Sequence, residues 1–526
     1  MEPVKKYWIV LLSMLAIGQC LLTPVYAQQK EELVLAFGGE PDEGFDPIKG
    51  WGRYGSPLFQ STLLKRNTDL EVTTDLAQSY EVSSDRLTWT IQLKEDIVFT
   101  DGQPLTTKDV AFTFDTAKKK GTATVDLSNL MEIEIVNDHE MKFHLDKPDV
   151  TFISKMCSLG IVPKHAYRSD YGIQPIGSGP LEFIEWKKGE QLITKVNESY
   201  YGDKIPYKKI TFLFTEADQA MMLAQSNAAD VIRISYKDAH VKVPGYTLVA
   251  LDSIDNRGII FPVRKNGGQK TPSGYPIGNN VTSDIHVRKA INIAIDRQQI
   301  IDHVLNGFGT PASSIADKMP WWNEKTAIAN DGNIKQANKL LDNAGWKLSK
   351  EGVRQKDGQE AKLPLYYAYK DRENIAVAIA QQLKEIGFDI TPIYATWEEI
   401  IPKMSSDMVL FGWGGYDPLE VYYNYSSNWQ GKDFYNPNHY ANETVDHYFD
   451  QALRSENEEE AQQYWQKAQW DGREGLSHLG DAPWAWIINE QHLYLVRENL
   501  DIGRQKIQPH GGGWPLTDTL QQWKWK

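Results

Sequence analysis

The sequence predicts an α/β protein built as two lobes, and three observations carry that expectation. The chain has 526 residues, more than one hydrophobic core organises; at roughly 150 residues per domain, two to four units are expected. Residues 363–413 read strand, helix, strand, helix, strand, the order of a parallel sheet with crossover helices. No internal repeat, low-complexity tract or long linker interrupts the chain, so ordered strands must join the lobes. Hydrophobic residues make up 41% and net charge is -14. The first argues against wholesale disorder; the second disfavours general binding to nucleic acid or anionic membrane.

Taken in order, residues 1–27 read as a secretory signal. Lys5 and Lys6 precede the apolar run from Trp8 to Leu22, and Val25-Tyr26-Ala27 supplies a small-residue cleavage pattern. Cleavage after Ala27 and a periplasmic address are expected. Ser13, Gly18 and Gln19 interrupt the run, and no later stretch reaches the ~20 apolar residues of a span. Lipoprotein anchoring at Cys20 is the second reading, because Gln19 is a poor small-residue match. Without the signal, Cys157 stands alone and cannot form an intrachain disulfide; a buried structural thiol is expected.

Leu33–Phe37 is an apolar strand. The glycine-rich stretch 50–57 follows as a loop whose Arg53 and Tyr54 face a cleft or stand equally well as solvated surface, and residues 58–64 are expected as a short helix. Leu87–Leu93 alternates with the period of a half-buried strand. Residues 97–102 suggest a strand closed by Asp101-Gly102. Thr106 or Thr107 can cap the next helix, which bears Val110, Phe112 and Phe114. Residues 133–144 alternate around a turn at Asn137-Asp138. These form an antiparallel subdomain over about 69–186, closed by a glycine turn entering a strand at 176–186. Asp284 precedes an amphipathic helix with Val287, Ala290, Ile291, Ala294 and Ile295 on one stripe. Asp296 opens another, with Gln299 at the capping-box position and Gly307 beyond its end. Strands at 363–369, 389–394 and 408–413 alternate with helices at 375–386 and 398–404. Residues 484–488 and 492–496 are the last strands.

The stretch Phe411-Gly-Trp-Gly-Gly-Tyr-Asp-Pro418 ends the third strand of that α/β unit. It offers bare backbone, flat rings and one carboxylate at the carboxyl edge of a sheet, where ligands settle in open α/β folds. Trp413, Tyr416 and Asp417 are therefore candidates, and a tight turn whose aromatics finish a core is the equal alternative. For Asp417 a turn-capping role stays open, since Asp before Pro often fixes a turn. Near the end, His510 lies between Pro509 and three glycines, where a neutral imidazole can offer a metal one open side.

The motifs of catalysis are absent. There is no Gly-x-Ser-x-Gly elbow, Cys-x-x-Cys or phosphate-binding loop. His139 and His144 are five apart in an alternating strand and face opposite sides. A secreted metal-dependent hydrolase needs clustered ligands, and the sequence shows none. Seventeen tryptophans keep a sugar-binding alternative open.

Residues 75–93 with Phe99–Val110, Ile161-Val-Pro-Lys-His165, Ile176-Gly-Ser-Gly-Pro180 and Val287–Asp296, in this order, resemble the solute-binding proteins of ABC importers, in the family that takes up peptides and nickel. The resemblance implies a two-lobed periplasmic-binding-protein fold with an extra subdomain and the ligand in the interlobe cleft. Lobe 1 takes 28–262 plus 494–526, and lobe 2 takes 263–493. It implies no chemistry on the ligand, no intrinsic cofactor, a monomer, and ABC permease subunits as partners. Residues 51–64, 411–418 and 510–516 resemble the nickel and metal-chelate branch, which takes nickel with histidine or an opine-type metallophore. This implies an aromatic pair at Trp413 and Tyr416, ligand contacts from Arg53, Tyr54, Asn428 and Trp514, and His510 as a metal ligand. A peptide-binding protein of the same family is the alternative, with Asp417 holding the peptide amine.

Overall fold

Three sheets organise the chain. The computed structural model describes residues 30–526 apart from 38, 121–125, 216, 330 and 433, so the signal segment and Cys20 lie outside the described residues. The first sheet has seven strands in the order Tyr246–Leu251, His492–Arg497, Val231–Arg233, Glu32–Ala36, Lys209–Leu213, Gln191–Val196 and Leu181–Lys187. Glu32–Ala36 is parallel to both of its neighbours, while the two outer pairs on either side are antiparallel. Such mixed sheets bury the strands that carry the longest apolar runs.

The second sheet has six strands, ordered Gly309–Pro311, Trp484–Glu490, Asn256–Ile260, Met408–Phe411, Lys362–Tyr367 and Asp389–Tyr394. Its parallel part is the expected strand–helix unit. Lys362–Tyr367 runs parallel to both Asp389–Tyr394 and Met408–Phe411, with the helix Glu373–Lys384 crossing between the first two. Ile375, Ile379, Leu383 and Ile386 from that crossover pack into one core with Val287, Ala290 and Ile291 of the helix Ile285–Ala294. Asp284 and Asp296 both cap: Asp284 Oδ1 accepts His286 N–H at 3.0 Å, and Asp296 Oδ1 accepts Gln299 N–H at 2.9 Å, each satisfying a donor the first helical turn leaves free. The capping box expected with Gln299 does not close, because Gln382 takes both groups: its Oε1 accepts Asp296 N–H at 2.9 Å and its Nε2 donates to Gln299 Oε1 at 2.9 Å.

A four-stranded antiparallel sheet of Ala77–Val82, Thr88–Leu93, Glu140–Leu145 and Leu130–Ile135 forms the subdomain. The helix Thr107–Lys120 covers it through Val110, Ala111 and Phe114, which join Trp89, Ile91 and Phe143 in its core. No helix among the described residues is long and apolar enough to cross a membrane.

The structure revises three expectations. Residues 58–64 are not a helix. Their backbone groups are taken by other segments: Phe59 O accepts Gly179 N–H, Leu58 O accepts Leu181 N–H, and Ser61 O accepts Ile161 N–H. Leu58 also takes a φ of 58°, outside the helical region. Residues 97–102 form only an isolated bridge from Val98 to Pro104. Last, the passage between the large sheets falls earlier than 262 and 494. Asn256–Ile260 pairs within the second sheet, so the first passage lies between Leu251 and Asn256. The return lies between Glu490 and His492, since His492–Arg497 already pairs with Tyr246–Leu251. A third segment braces these passages: Ile254 N–H donates to Gln508 O at 2.9 Å and Gln508 N–H to Asp252 O at 2.7 Å.

Candidate functional site

The loop after Met408–Phe411 is shaped by its glycines. A Cβ on Gly412 would collide with Asn256 O, and one on Gly414 would stand 2.5 Å from Ile254 O. Only bare backbone lets this loop press against the first lobe-to-lobe passage. Beyond it, Leu419–Tyr425 is helical, and its first turn folds back. Asp417 Oδ1 accepts Leu419 N–H at 2.9 Å, and Glu420 Oε2 accepts Gly415 N–H at 2.8 Å. The turn-capping role of Asp417 is therefore present, alongside its place in a cavity wall.

That cavity lies between the lobes and encloses about 380 Å³, toward the small end of the ~300–1,000 Å³ of small-molecule sites. From the first lobe come Arg53, Tyr54, Arg66, Lys506 and Asp518; from the second come Tyr416, Asp417, Glu420, Tyr423 and Tyr435. Arg53 projects from the turn at 51–55. Its Nη2 donates to Tyr54 Oη at 2.9 Å, and its guanidinium lies 4.4 Å from the Tyr54 ring centre. Tyr54, and then Tyr435 and Glu420 from across the cavity, favour its charged form. Burial pushes the Tyr54 hydroxyl up to about 12. Burial also raises Asp417, against Lys155 and Arg66. It pushes Glu420 up to about 7 against the Gly415 N–H and Arg53. Lys506 is paired with Asp518 at 2.7 Å. By contrast, Arg66 donates to neutral oxygens, Leu70 O at 3.1 Å and Ser154 Oγ at 3.2 Å. Guanidiniums so placed can meet a ligand carboxylate through paired hydrogen bonds.

His510 stands behind Tyr54, its ring edge-on at 5.5 Å, and is not itself in the cavity lining. Its backbone N–H donates to Gly414 O at 2.7 Å. Its Nδ1 sits 2.8 Å from Asp255 Oδ1; a carboxylate can only accept, so Nδ1 carries the shared proton and the ring's orientation is fixed. Asp255 is 2% exposed. Burial opposes its ionisation, but Arg257 and then the His510 and His492 imidazoles outweigh burial and hold its carboxyl well below the usual carboxylate range. Arg257 Nη1 donates to Asp255 and its Nη2 to Glu490 Oε2 at 2.6 Å. His492 Nε2 lies 3.1 Å from Asp255 Oδ2. This buried group joins both lobe-to-lobe passages.

Of the sequence candidates, Arg53, Tyr54, Tyr416 and Asp417 meet in the cavity wall. Trp413, Trp514 and Asn428 do not. Trp413 is 5% exposed and stacks on Tyr435 at 4.9 Å and 16°, so it backs a lining ring instead of facing the ligand. Trp514 packs edge-on to Trp51 at 5.0 Å and donates its Nε1–H to Gly39 O at 3.0 Å, within the first lobe's core. Asn428 is exposed and sits 3.4 Å from Tyr422 Oη. Glu420 was legible as a carboxylate three residues after Asp417 at a helix start; nothing local marks Tyr435, Arg66 or Lys506. Among the described residues, no three His, Cys, Asp or Glu side chains gather to hold a metal ion.

The family profile "Bacterial extracellular solute-binding proteins, family 5 Middle" matches residues 71–436. "Protein XP55" of Streptomyces lividans is 31% identical over 490 residues, covering 90% of this chain and 86% of its own. The structure of NikZ from Campylobacter jejuni in complex with Ni(L-His) superposes with a TM-score of 0.81 at 23% identity, covering 94% of this chain and 99% of that one. The oligopeptide-binding protein AppA from Bacillus subtilis, in complex with a nonapeptide, superposes at 0.73 with 23% identity, over 95% and 99%.

Proposed function

Because the chain belongs to the bacterial extracellular solute-binding proteins of family 5, the substrate-binding components of ABC importers and not enzymes, we propose that its cargo is a transition metal, nickel first, carried as a small chelate of histidine or an opine-type metallophore. Export by cleavage after Ala27, delivery to a membrane permease and a monomeric state belong to the same reading. One observation carries it: the His510–Asp255 hydrogen bond, which fixes the orientation of an imidazole standing one ring back from the cavity, behind Tyr54, where Nε2 could bind a metal. A chelator already fills most metal positions, so one protein nitrogen completes the shell. Arg53, whose hydrogen bond goes to a neutral hydroxyl, receives the chelator's carboxylate. Closure follows if the chelate binds the closed form more tightly than the open one.

A peptide ligand is the second reading, supported by the Asp417–Glu420 pair that faces the cavity and suits an ammonium group. Tryptophan fluorescence, confirmed by calorimetry, separates the two. The titrants are nickel, nickel with excess L-histidine, histidine alone and a dipeptide pool. A response to nickel–histidine and to neither component alone is expected. His510→Ala then weakens binding, and Asp255→Asn weakens it about 10- to 100-fold, the usual effect of losing the partner that orients a ligand histidine. Response to the dipeptides with silence toward nickel refutes the chelate reading, and unchanged affinity in His510→Ala removes the metal assignment.

A further inference from the structure

Tyr416 has a second side. Behind it lies a smaller chamber of about 80 Å³. Its apolar walls are Leu70, Val150, Ile153, Trp321, Ala461 and Trp465. Arg66, Ser154 and Tyr416 line both this chamber and the main cavity, so the two spaces adjoin. Tyr416 is fixed as the partition between them because its hydroxyl donates to Ile507 O. The chamber also has two owners. Leu70, Val150 and Ile153 come from the first lobe's side, whereas Trp321 and the helix Glu458–Gln469 come from the second. Helix Glu458–Gln469 presents Ala461 and Trp465 one turn apart, and both are buried, at 2% and 1%. The small alanine on that face is what leaves room. Just outside, Val150 N–H donates to Leu453 O at 3.0 Å across the lobes, which fixes the spacing of the walls.

We propose that this chamber is a specificity subsite that takes an apolar side group of about leucyl size, carried by the ligand whose charged end lies at Arg53 and Glu420. The proposal rests on the reading of the main cavity as the site of a small chelate. About 80 Å³ is room for two or three waters at ~30 Å³ each and about half of the ~150 Å³ cavity that holds a benzene ring, enough for a branched aliphatic group and too little for an aromatic ring. Glu458 also lines the chamber, so an acidic side group would lose hydration beside a like charge. The Arg66 neck admits a polar link between the two parts of the ligand. An apolar group seated here touches both lobes, so it adds affinity for the closed form specifically.

The test is calorimetry of the mature protein with nickel complexes of Gly-His, Leu-His, Phe-His and Glu-His, and with nickel–histidine as the reference. The expected order places Leu-His about 10- to 100-fold tighter than Gly-His, the value of one buried side chain, with Phe-His weaker than Leu-His and Glu-His no tighter than Gly-His. Ala461→Phe projects a ring into the chamber and should erase the Leu-His advantage. Ile153→Ala enlarges it and should shift preference from Leu-His toward Phe-His, which keeps a second readout should the first variant not fold. Equal affinity for Gly-His, Leu-His and Phe-His in the unmodified protein overturns the subsite, as does a Leu-His advantage that survives Ala461→Phe. Binding of nickel–histidine with rejection of every dipeptide complex overturns the subsite and leaves the chelate reading standing; rejection of nickel–histidine and all four complexes removes both.

Discussion

Glu490→Gln should make the protein progressively more stable than its parent as pH rises. Glu490 ends the strand Trp484–Glu490, 7% exposed, with Arg257 Nη2 at 2.6 Å from its Oε2. Burial pushes its carboxyl up from 4.5 to about 7; Arg257 opposes the rise, and Asp255 and Asp371 add to it. A carboxyl whose pKa is raised on folding keeps its proton in the native state after the unfolded chain has lost it. Its contribution is therefore full below pH 4.5 and is lost as pH rises through about 7. At ~1.4 kcal/mol for each tenfold change in proton affinity, the loss is about 3 kcal/mol. Burial lowers His492, and lowers His439 and His478 to about 4. Those terms have the opposite slope, present above pH 6.5 and lost on acidification, but they are common to both proteins and cancel in the difference. The amide of Gln is nearly isosteric with the protonated acid, so the two curves should lie close at pH 5 and separate by about 2–3 kcal/mol at pH 8. Urea titrations read by tryptophan fluorescence at pH 5, 6, 7 and 8 measure this, with equal slopes required of both proteins. A constant difference refutes the reasoning. So does a variant that becomes less stable than the parent at pH 8, which would mean that Arg257 more than offsets burial.

Arg53→Lys replaces a two-donor fork by a single ammonium and should lower nickel–histidine affinity about tenfold in calorimetry, with thermal stability unchanged. Gly177→Ala places a methyl against Phe59 O, inside any tolerable contact; it should cost about 3 kcal/mol or more, read as a fall in thermal midpoint. Cys157, whose thiol burial pushes up to about 12, should react with a disulfide reagent at pH 8 about 100-fold more slowly than in urea.

What was legible depended on the range of the interaction. Caps such as Asp284 and Asp296 act over two or three residues, and alternation at Thr88–Leu93 reports one face of one strand; both stand in the structure. Residues 58–64 misled because their apolar spacing was real but their hydrogen bonds leave the segment: 58, 59 and 61 bond to 181, 179 and 161, a hundred or more positions away, and 62–64 bond to 74–77. The site divides in the same way. Arg53, Tyr54, Tyr416 and Asp417 lie on glycine-rich turns that leave side chains free to face a cleft. Trp413 and Trp514 sit in equally glycine-rich turns, yet large rings there found cores to fill. Tyr435 faces the cavity only because Trp413 stacks behind it, a contact that local sequence does not encode.

If His510 binds the ligand as proposed, its placement ties recognition to movement. Residues 507–510 run across the first lobe-to-lobe passage, bonded at Gln508 to both Asp252 and Ile254. One residue pair further, His510 N–H holds Gly414 O, in the loop that begins the second lobe's cavity wall. The His510 side chain meets Asp255, which shares Arg257 with Glu490 at the return passage. A rotation of one lobe about these passages therefore moves Gly414 and Asp255 relative to the 507–510 segment and disturbs both bonds to His510. A ligand bound through Nε2 would be sensitive to that disturbance, because the Asp255 hydrogen bond sets the orientation of its donor. Differential affinity for the closed form, which any ligand-driven closure requires, would then arise at the hinge itself as well as from the two walls of the cleft.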